Sequence, residues 1–364
     1  MIPLLVDLET EWRGGQNQAL LTAKGIRESG HDAQLVAIRD SPLAQRAAQA
    51  GIPVHEVHTR AKRARAALVL RKLLSQGQFD IVHANEPHAL TAAWLAGAYK
   101  KVPVVASRRV AYPLQKNAIA QKRYRMAKRI LAVSHFVAAS VVESGIPADN
   151  VAVVYEGVEV PAMVTHEARQ RARQRWSVTI DEPLIGCVGY LLPEKGQETV
   201  VRAMPAVRAK FPGTRLLLAG DGPCRERLEA LTKQFGLQDA IIFAGFVEDV
   251  AQVYAALDIF VFPSLAEPLG TSLLAAMAWG LPVLAVASGG VPEYVDDGEN
   301  GLLAAESKPD LVSNGVVRLL SNDSLRQHVG QKARRKMEAQ FSASCMVQNT
   351  LRAYQEILSE SRAR

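Results

Sequence analysis

The stretch "EPLGTSLLAAMAWGLPVLA", from Glu267 to Ala285, decides how this chain is read. Gly270 precedes a helix-forming apolar run, "SLLAAMAW". "GLP" ends that run, and "VLAVA" is a short apolar segment of the kind buried in a parallel sheet. The reading is turn, helix, strand, with the helix starting at Gly270 and Thr271 just after Glu267. The first N–H groups of a helix lack internal partners and carry the positive end of its dipole. The amides of Gly270, Thr271, Ser272 and Leu273 therefore form a candidate anion site beside a carboxylate. Sugar hydroxyls are natural donors to that carboxylate. A local helix cap is the alternative reading of Glu267.

The same alternation extends in both directions. Before residue 160, strand-like pieces are "PLLVDL", "AQLVAI", "DIVHAN", "PVVASRR", "RILAVS" and "VAVVYEG", with helical pieces such as "GQNQALLTAKGIRESG" and "HALTAAWLAGAYK" between them. The pattern breaks at 160–182, which is polar, charged and bounded by prolines. It then restarts with "LIGCVGY", "TRLLLAGDG", "AIIFAGF", "DIFVFPS" and "LPVLAVA". Apolar strands alternating with helices predict parallel sheets covered on both faces. A length of 364 residues is too great for one ordinary core, so two Rossmann-like domains are expected. The boundaries read as 1–162 and 163–345, with 163–182 as a linker. Residues 346–364 read as a terminal helix with Met346, Leu351, Tyr354 and Ile357 near one face.

Composition narrows the function. The formal net charge of +7 lies in the first half: residues 1–160 hold 21 Lys and Arg against 13 Asp and Glu, and the remainder 22 against 23. Two clusters carry it, Arg60 to Lys72 and Lys116 to Arg129. A basic face suits an anionic membrane or an anionic substrate, and a solvated helix surface is the alternative. Aromatic residues make up only 6% and no nucleic-acid-binding module is recognisable, which argues against nucleic acid. Cys187, Cys224 and Cys345 lie far apart without metal or disulfide spacing, as in a reduced cytosolic protein. The start, "MIPLLVDLET", reads as a first strand and not as a signal peptide. The expected location is cytoplasmic, with peripheral attachment to the inner face of the membrane as an option.

Other positions carry candidate chemistry. Gly14 and Gly15 precede a helix after the first strand, where glycine lets a phosphate approach the backbone closely. A plain tight turn is the alternative. The spacing is not that of a dinucleotide fingerprint, which disfavours a nicotinamide cofactor. Lys195, in "GYLLPEKGQETVV", puts a cation beside a glycine after the first strand of the second domain, as a diphosphate would require. A solvated Glu-Lys turn is the alternative. His83, His88, Arg108 and Arg109 follow strands of the first domain. Metalloprotease, serine hydrolase and P-loop patterns are absent.

Taken together, "RGGQNQ", "VVYEGVE", "PEKGQETVVRAM", "LLLAGDGPCRERLE", "FAGFVEDVAQVYAALDIFVFPS", "EPLGTSLLAAMAWGLPVLA" and "SGGVPEYVDDGENGLL" resemble the retaining glycosyltransferases of family 4 over nearly the whole length. The resemblance implies a GT-B fold, two Rossmann-like domains with parallel sheets facing a central cleft. The first domain would hold the acceptor and the second a nucleotide sugar, and the C-terminal helix would cross back to the first. It implies donor contacts at Gly14, Gly15 and Lys195, at the amides of Gly270, Thr271, Ser272 and Leu273, and a border to the base at Phe246 to Val250. It places Glu267 near the donor sugar, and Arg109 and His88 in the catalytic region. A nucleoside-diphosphate sugar, first of all a UDP-sugar, would be the co-substrate, with no metal required. The acceptor would be a glycan or a lipid-linked glycan, as in lipopolysaccharide or polysaccharide synthesis.

Three positions depart from the family pattern. The second glutamate, which holds the ribose, is Ala275. An arginine of the second domain's first loop is Tyr190. The histidine that ends the "VVxxxH" stretch is replaced, with Arg109 at the strand end. Loss of one hydrogen bond to a charged group predicts roughly tenfold to 150-fold weaker donor binding. These departures leave two rivals, a family member that binds a glycan without turnover and a sugar-nucleotide epimerase on the same fold.

Overall fold

The computed structural model describes residues 1–114 and 118–362; Lys116 and Asn117 of the second basic cluster and Ala363 and Arg364 of the tail lie outside the described residues. The chain forms two compact units, Met1–Gly157 with Ala343–Arg364, and Val158–Ser342. Its crossings thus fall after Gly157 and after Ser342, where the sequence reading put 162 and 345.

In the first unit the strands are β1 (Pro3–Asp7), β2 (Gln34–Ile38), β3 (Val54–Val57), β4 (Ile81–Ala84), β5 (Val104–Arg108), β6 (Arg129–Ala132) and β7 (Val151–Val153). Their order is β3-β2-β1-β4-β5-β6-β7, and every pairing is parallel. Successive side chains of a strand point to opposite faces. Leu4 and Val6 accordingly join Leu70 and Leu90 under the helices Lys62–Ser75 and Pro87–Ala96. Leu5 joins Ala23, Ile26 and Tyr354 under the helices Gly14–Glu28 and Ala343–Arg362. Both faces being covered, the strand is apolar at every position but its last.

The second unit repeats the plan. β8 (Leu184–Val188), β9 (Arg215–Ala219), β10 (Ile241–Gly245), β11 (Ile259–Phe262), β12 (Val283–Val286) and β13 (Leu302–Ala304) run in the order β10-β9-β8-β11-β12-β13, all parallel. In each unit the strand order reverses beside the first strand, between β1 and β4 and between β8 and β11. Ligands of such sheets bind at this point, beyond the carboxyl ends of the strands.

β3 and β13 were not expected from the sequence. Both are edge strands with one neighbour, and "VHEV" and "LLA" are too polar or too short to register. The expected linker 163–182 is corrected more sharply, since it contains the helix His166–Arg175. Arg173, 1% exposed, donates to the Ala256 and Thr179 carbonyls and to Asp258 Oδ2. Arg169 reaches Asp258 Oδ1 at 2.5 Å, and Asp258 Oδ2 also accepts the Leu184 N–H at 2.7 Å. Hydropathy marks such a segment as solvated because it cannot see that its charges are paired and hydrogen-bonded.

The terminal helix begins at Ala343, three residues before the apolar stripe from which it was read. Met346, Leu351, Tyr354 and Ile357 are all buried, as that stripe predicts. Gly25 fits against it closely, for a Cβ there would stand 2.5 Å from Val347 Cγ2. No helix among the described residues is long and apolar enough to cross a membrane.

Candidate functional site

The second unit gathers its chemistry at the β8/β11 switch point. β8 leads through Gly189 to the 3-10 turn Pro193–Lys195, and β11 leads to Ser264 and Glu267. Lys195 Nζ donates to Glu267 Oε2 at 2.7 Å, and Ser264 Oγ donates to the same oxygen at 2.9 Å. Glu267 is 5% exposed while the Lys195 side chain is 31% exposed. The lysine therefore neutralises a buried carboxylate and is itself the partner that a ligand in solvent reaches first. Separate readings of a phosphate lysine and a sugar glutamate become one paired unit. Lys195, Gly189, Gln197, Phe262, Pro263 and Ser272 line a cavity of about 30 Å³.

Backbone contacts too close for any side chain hold this arrangement. The Gly290 N–H donates to the Glu267 carbonyl at 2.9 Å. Gly289 has φ of +55°, and a Cβ on it would lie 1.9 Å from the Glu267 oxygen. Gly196, at φ +70°, passes the Pro263 carbonyl in the same way, with 2.2 Å left for a Cβ. Neither position tolerates a side chain.

The helix Thr271–Ala278 starts after Gly270 as expected. One of the four proposed amides is corrected: the Leu273 N–H donates to the Gly270 carbonyl at 3.0 Å, closing the first turn, and Leu273 is fully buried. Gly270 precedes the helix, and Thr271 and Ser272 are its first two residues. Ala275 is half-buried in the same helix. Phe246 and Val250 follow β10, two strands away at the edge of the sheet, and are exposed. Neither lines the cavity at Lys195.

In the first unit the β1/β4 switch point opens into a cavity of about 470 Å³ whose lining includes Glu9, Gly15, Asn85, Glu86, Arg109 and Tyr112. Its floor is a network that the sequence reading did not anticipate. Asp7, fully buried at the end of β1, accepts from Asn85 Nδ2 at 2.6 Å and Gln16 Nε2 at 3.1 Å. Asn85 Nδ2 also donates to the Gly15 carbonyl at 3.2 Å. The ends of β1 and β4 and the start of the helix Gly14–Glu28 are thereby fixed together. Gly14 and Gly15 sit ahead of the first helical hydrogen bonds, which run from Gln16 and Asn17 to the Arg13 carbonyl. The available signal was an acidic residue at the carboxyl end of the first strand.

Arg109 forms part of the cavity wall, held by Nε to Glu156 at 2.8 Å and by Nη1 to the Asn85 carbonyl at 2.6 Å. Arg108 is buried between the rings of Tyr112 and Tyr124 and donates to the Tyr112 carbonyl, a structural role. His88 is the second residue of the helix Pro87–Ala96, half-exposed, with Nε2 3.7 Å from Glu9. Burial first, and then the Lys62 charge, hold its pKa below the ordinary value. Glu9, Glu86 and His88 bring ligand atoms within 4.8 Å of one another, and the Lys62 ammonium stands 3.7 Å from Glu9.

Two titratable groups next to this cavity, buried His83 and half-buried Glu86, respond to pH in opposite directions. His83 Nδ1 meets the Tyr354 hydroxyl at 2.6 Å and Nε2 meets Ser107 Oγ at 2.8 Å. Burial, aided by the Arg109 charge, holds its pKa down at about 3. Glu86 is pushed up to about 7 by burial and the Asp7 charge, against the pull of three backbone N–H groups. The unfolded chain takes up the His83 proton first, so the stability His83 contributes is lost as pH falls below about 6.5. The contribution of Glu86 is present at low pH and is lost as pH rises through about 7. His83→Gln removes the first effect alone. Its stability deficit relative to wild type shrinks by roughly 1.4 kcal/mol per pH unit between about pH 6.5 and 5. Denaturant titrations at those two values measure it, and a deficit independent of pH rules out a neutral, buried His83.

Comparison with known proteins bears on this pair of switch-point sites. Residues 12–160 match the model described as Glycosyltransferase Family 4, and residues 168–336 the model described as Glycosyl transferases group 1. The chain belongs to the family 4 glycosyltransferases. This family 4 chain is 30% identical over 187 residues to the lipopolysaccharide core biosynthesis glycosyltransferase LpsE of Rhizobium meliloti, covering 51% of this chain and 53% of that protein. It is 33% identical over 165 residues to a GDP-mannose-dependent phosphatidylinositol monomannoside mannosyltransferase of Mycolicibacterium smegmatis, 43% of each chain. It spans about half the length of the curated relatives it matches. Among solved structures, HepE of Anabaena in complex with UDP-glucose superposes with a TM-score of 0.85 at 22% identity, covering 99% of this chain and 100% of that one. The fold is GT-B.

Proposed function

We propose that the protein transfers a sugar from a nucleoside-diphosphate sugar to a hydroxyl of a glycan or lipid-linked acceptor, with retention of anomeric configuration. The observation that carries this reading is the pairing of half-exposed Lys195 with buried Glu267 beside a helix start at a Rossmann switch point. The diphosphate lies against Lys195 and the amides of Gly270, Thr271 and Ser272. Charge grows on it as the glycosidic bond breaks, and groups already oriented toward it favour the transition state over the bound donor. Ser264 and Lys195 both hold Oε2 of Glu267, which leaves Oε1 to orient the sugar hydroxyls. Retention follows a front-face route in which the leaving phosphate helps to take the acceptor proton. With Ala275 in the helix the ribose has no carboxylate there, and water or a neighbouring group covers its hydroxyls. On the first unit, Arg109 and His88 take the acceptor-side roles of this reading, and Gly14 and Gly15 leave the backbone open to an anion at the start of their helix.

The acceptor belongs to cell-surface polysaccharide or lipopolysaccharide synthesis, and the protein works at an anionic inner membrane face. Leu68, Leu95 and Tyr99 are exposed beside Arg63, Arg65, Arg71 and Lys100, a mixed apolar and basic surface suited to such a face.

A calorimetric panel with UDP, GDP and ADP and their sugar conjugates tests the donor reading. UDP-sugars come first, and GDP-mannose, the donor named for the mycobacterial relative, second. Binding of one nucleotide is expected, weakened at least about tenfold in Lys195→Ala. No binding to any nucleotide at millimolar concentration favours a glycan-binding protein without turnover.

A further inference from the structure

A second cavity of the first unit, about 450 Å³, is lined by Thr59, Lys62, Arg63, His88, Thr91 and Leu95 among others. Lys62 and Arg63 of one helix and His88 of another line it, and Arg123 of a third bonds to Thr91 in its wall. Lys62 and Arg63 open the helix Lys62–Ser75, whose first turn contains no acidic residue. Cations are unfavourable at that end of a helix, where the dipole already presents positive charge. Lys62 is nevertheless fixed there, its Nζ donating to the Leu8 carbonyl at 2.8 Å. Arg123, from the helix Ala118–Arg125, donates through Nη1 to Thr91 Oγ1 on the opposite wall, while its Nε is buried without a hydrogen-bond partner. The Lys62, Arg63 and Arg123 charges all act on His88. Glu9 opposes them, its carboxylate 3.7 Å from Lys62 Nζ and from His88 Nε2, and together with Glu86 it stands on the side toward the larger switch-point cavity.

We propose that this cavity is a subsite for a phosphate group carried by the acceptor, held by Arg63, Arg123, Lys62 and the His88 ring. Lys62, Arg63 and His88 in the lining, Arg123 bonded to Thr91 of the wall, and one apolar side at Leu95 favour a compact, multiply charged anion over a neutral sugar. Lys62 and His88 border both Glu9 and this cavity. An acceptor hydroxyl in the larger cavity and a phosphate in this one can therefore belong to one molecule. The inference rests on the acceptor reading of the first unit and is independent of the donor chemistry of the second.

Titration calorimetry with inorganic phosphate, at constant ionic strength, tests it on the full chain. Arg123→Gln is expected to weaken phosphate at least about tenfold. Arg63→Gln, at an exposed residue where folding is not at stake, is expected to weaken it several-fold. Lys195→Ala separates the two units. Phosphate affinity lost in Lys195→Ala and kept in both arginine variants places phosphate at the donor site and overturns the proposal, as does the absence of phosphate binding to wild type. Phosphatidylcholine vesicles with and without phosphatidylglycerol then identify the source. Arginine-dependent vesicle binding that phosphate displaces supports a lipid headgroup, and arginine-dependent phosphate binding without vesicle competition supports a soluble phosphorylated acceptor. Nucleotide binding to wild type is read separately. Nucleotide without phosphate sinks the subsite alone, and phosphate without nucleotide sinks the donor reading alone.

Discussion

Glu267→Ala lowers turnover of the nucleotide sugar by about 10²–10³-fold, with nucleotide binding reduced far less. The substitution removes the acceptor of the Lys195 and Ser264 hydrogen bonds, both of which converge on Oε2. On the proposed reading, Lys195 is then no longer held where the diphosphate charge develops, and the sugar loses the carboxylate proposed to orient it. Misplacement of reacting groups by about 1 Å is enough for a loss of 10². Glu267→Gln separates the two contributions. It keeps a hydrogen-bonding side chain of the same shape but leaves the lysine unneutralised. Its nucleotide affinity should equal or exceed that of wild type, because Lys195 no longer divides its charge between a carboxylate and the phosphate. Release of nucleotide from the sugar conjugate, with and without acceptor, measures both variants. Turnover of Glu267→Ala within threefold of wild type, given about equal folding, would remove Glu267 from the mechanism.

Gly289→Ala should be the most damaging small substitution near the site, costing about 3 kcal/mol of stability and donor binding with it. Its φ of +55° is in the left-handed region, and the added Cβ would meet the Glu267 carbonyl oxygen at 1.9 Å. That oxygen belongs to backbone which also accepts the Gly290 N–H, so neither partner can turn aside. Relief requires the Glu267 segment to move, and the Lys195–Glu267 contact moves with it. Gly298→Ala is the control. Its φ of +77° imposes the same kind of strain, but nothing lies within 4 Å of the new Cβ. About 1–2 kcal/mol is expected there, without any effect on nucleotide binding. Unfolding midpoints for the two variants give the comparison, and equal costs would show that the close approach at Gly289 is relieved cheaply.

The strands were legible where both of their faces are covered. "PLLVD", "IVHA" and "IFVF" are short apolar runs flanked by turn residues, and all three became central strands. "VHEV" was not legible, because an edge strand needs only part of that pattern. The charged segment 163–182 misled for a related reason. Arg173 has the same hydropathy in solvent as it has when its guanidinium is buried against carbonyls and Asp258. The candidate site was legible where it depends on backbone, in the helix starts at Gly14 and after Gly270. It was less so where it depends on side chains meeting. Of four amides assigned to an anion site, the one at Leu273 is used by its own helix.

By itself the sequence determined two parallel α/β units, a helix beginning after Gly270, and the terminal helix with its buried stripe. Each follows from local periodicity and from residues that tolerate few backbone conformations. Only the tertiary structure decided which side chains share a charge. Lys195 and Glu267 are 72 positions apart and meet because β8 and β11 are neighbours. Arg109 is held against Glu156, and His83 is buried between Ser107 and Tyr354 of the returning helix. No local pattern encodes such pairings, because strand order brings the partners together and burial sets the strength of their interaction.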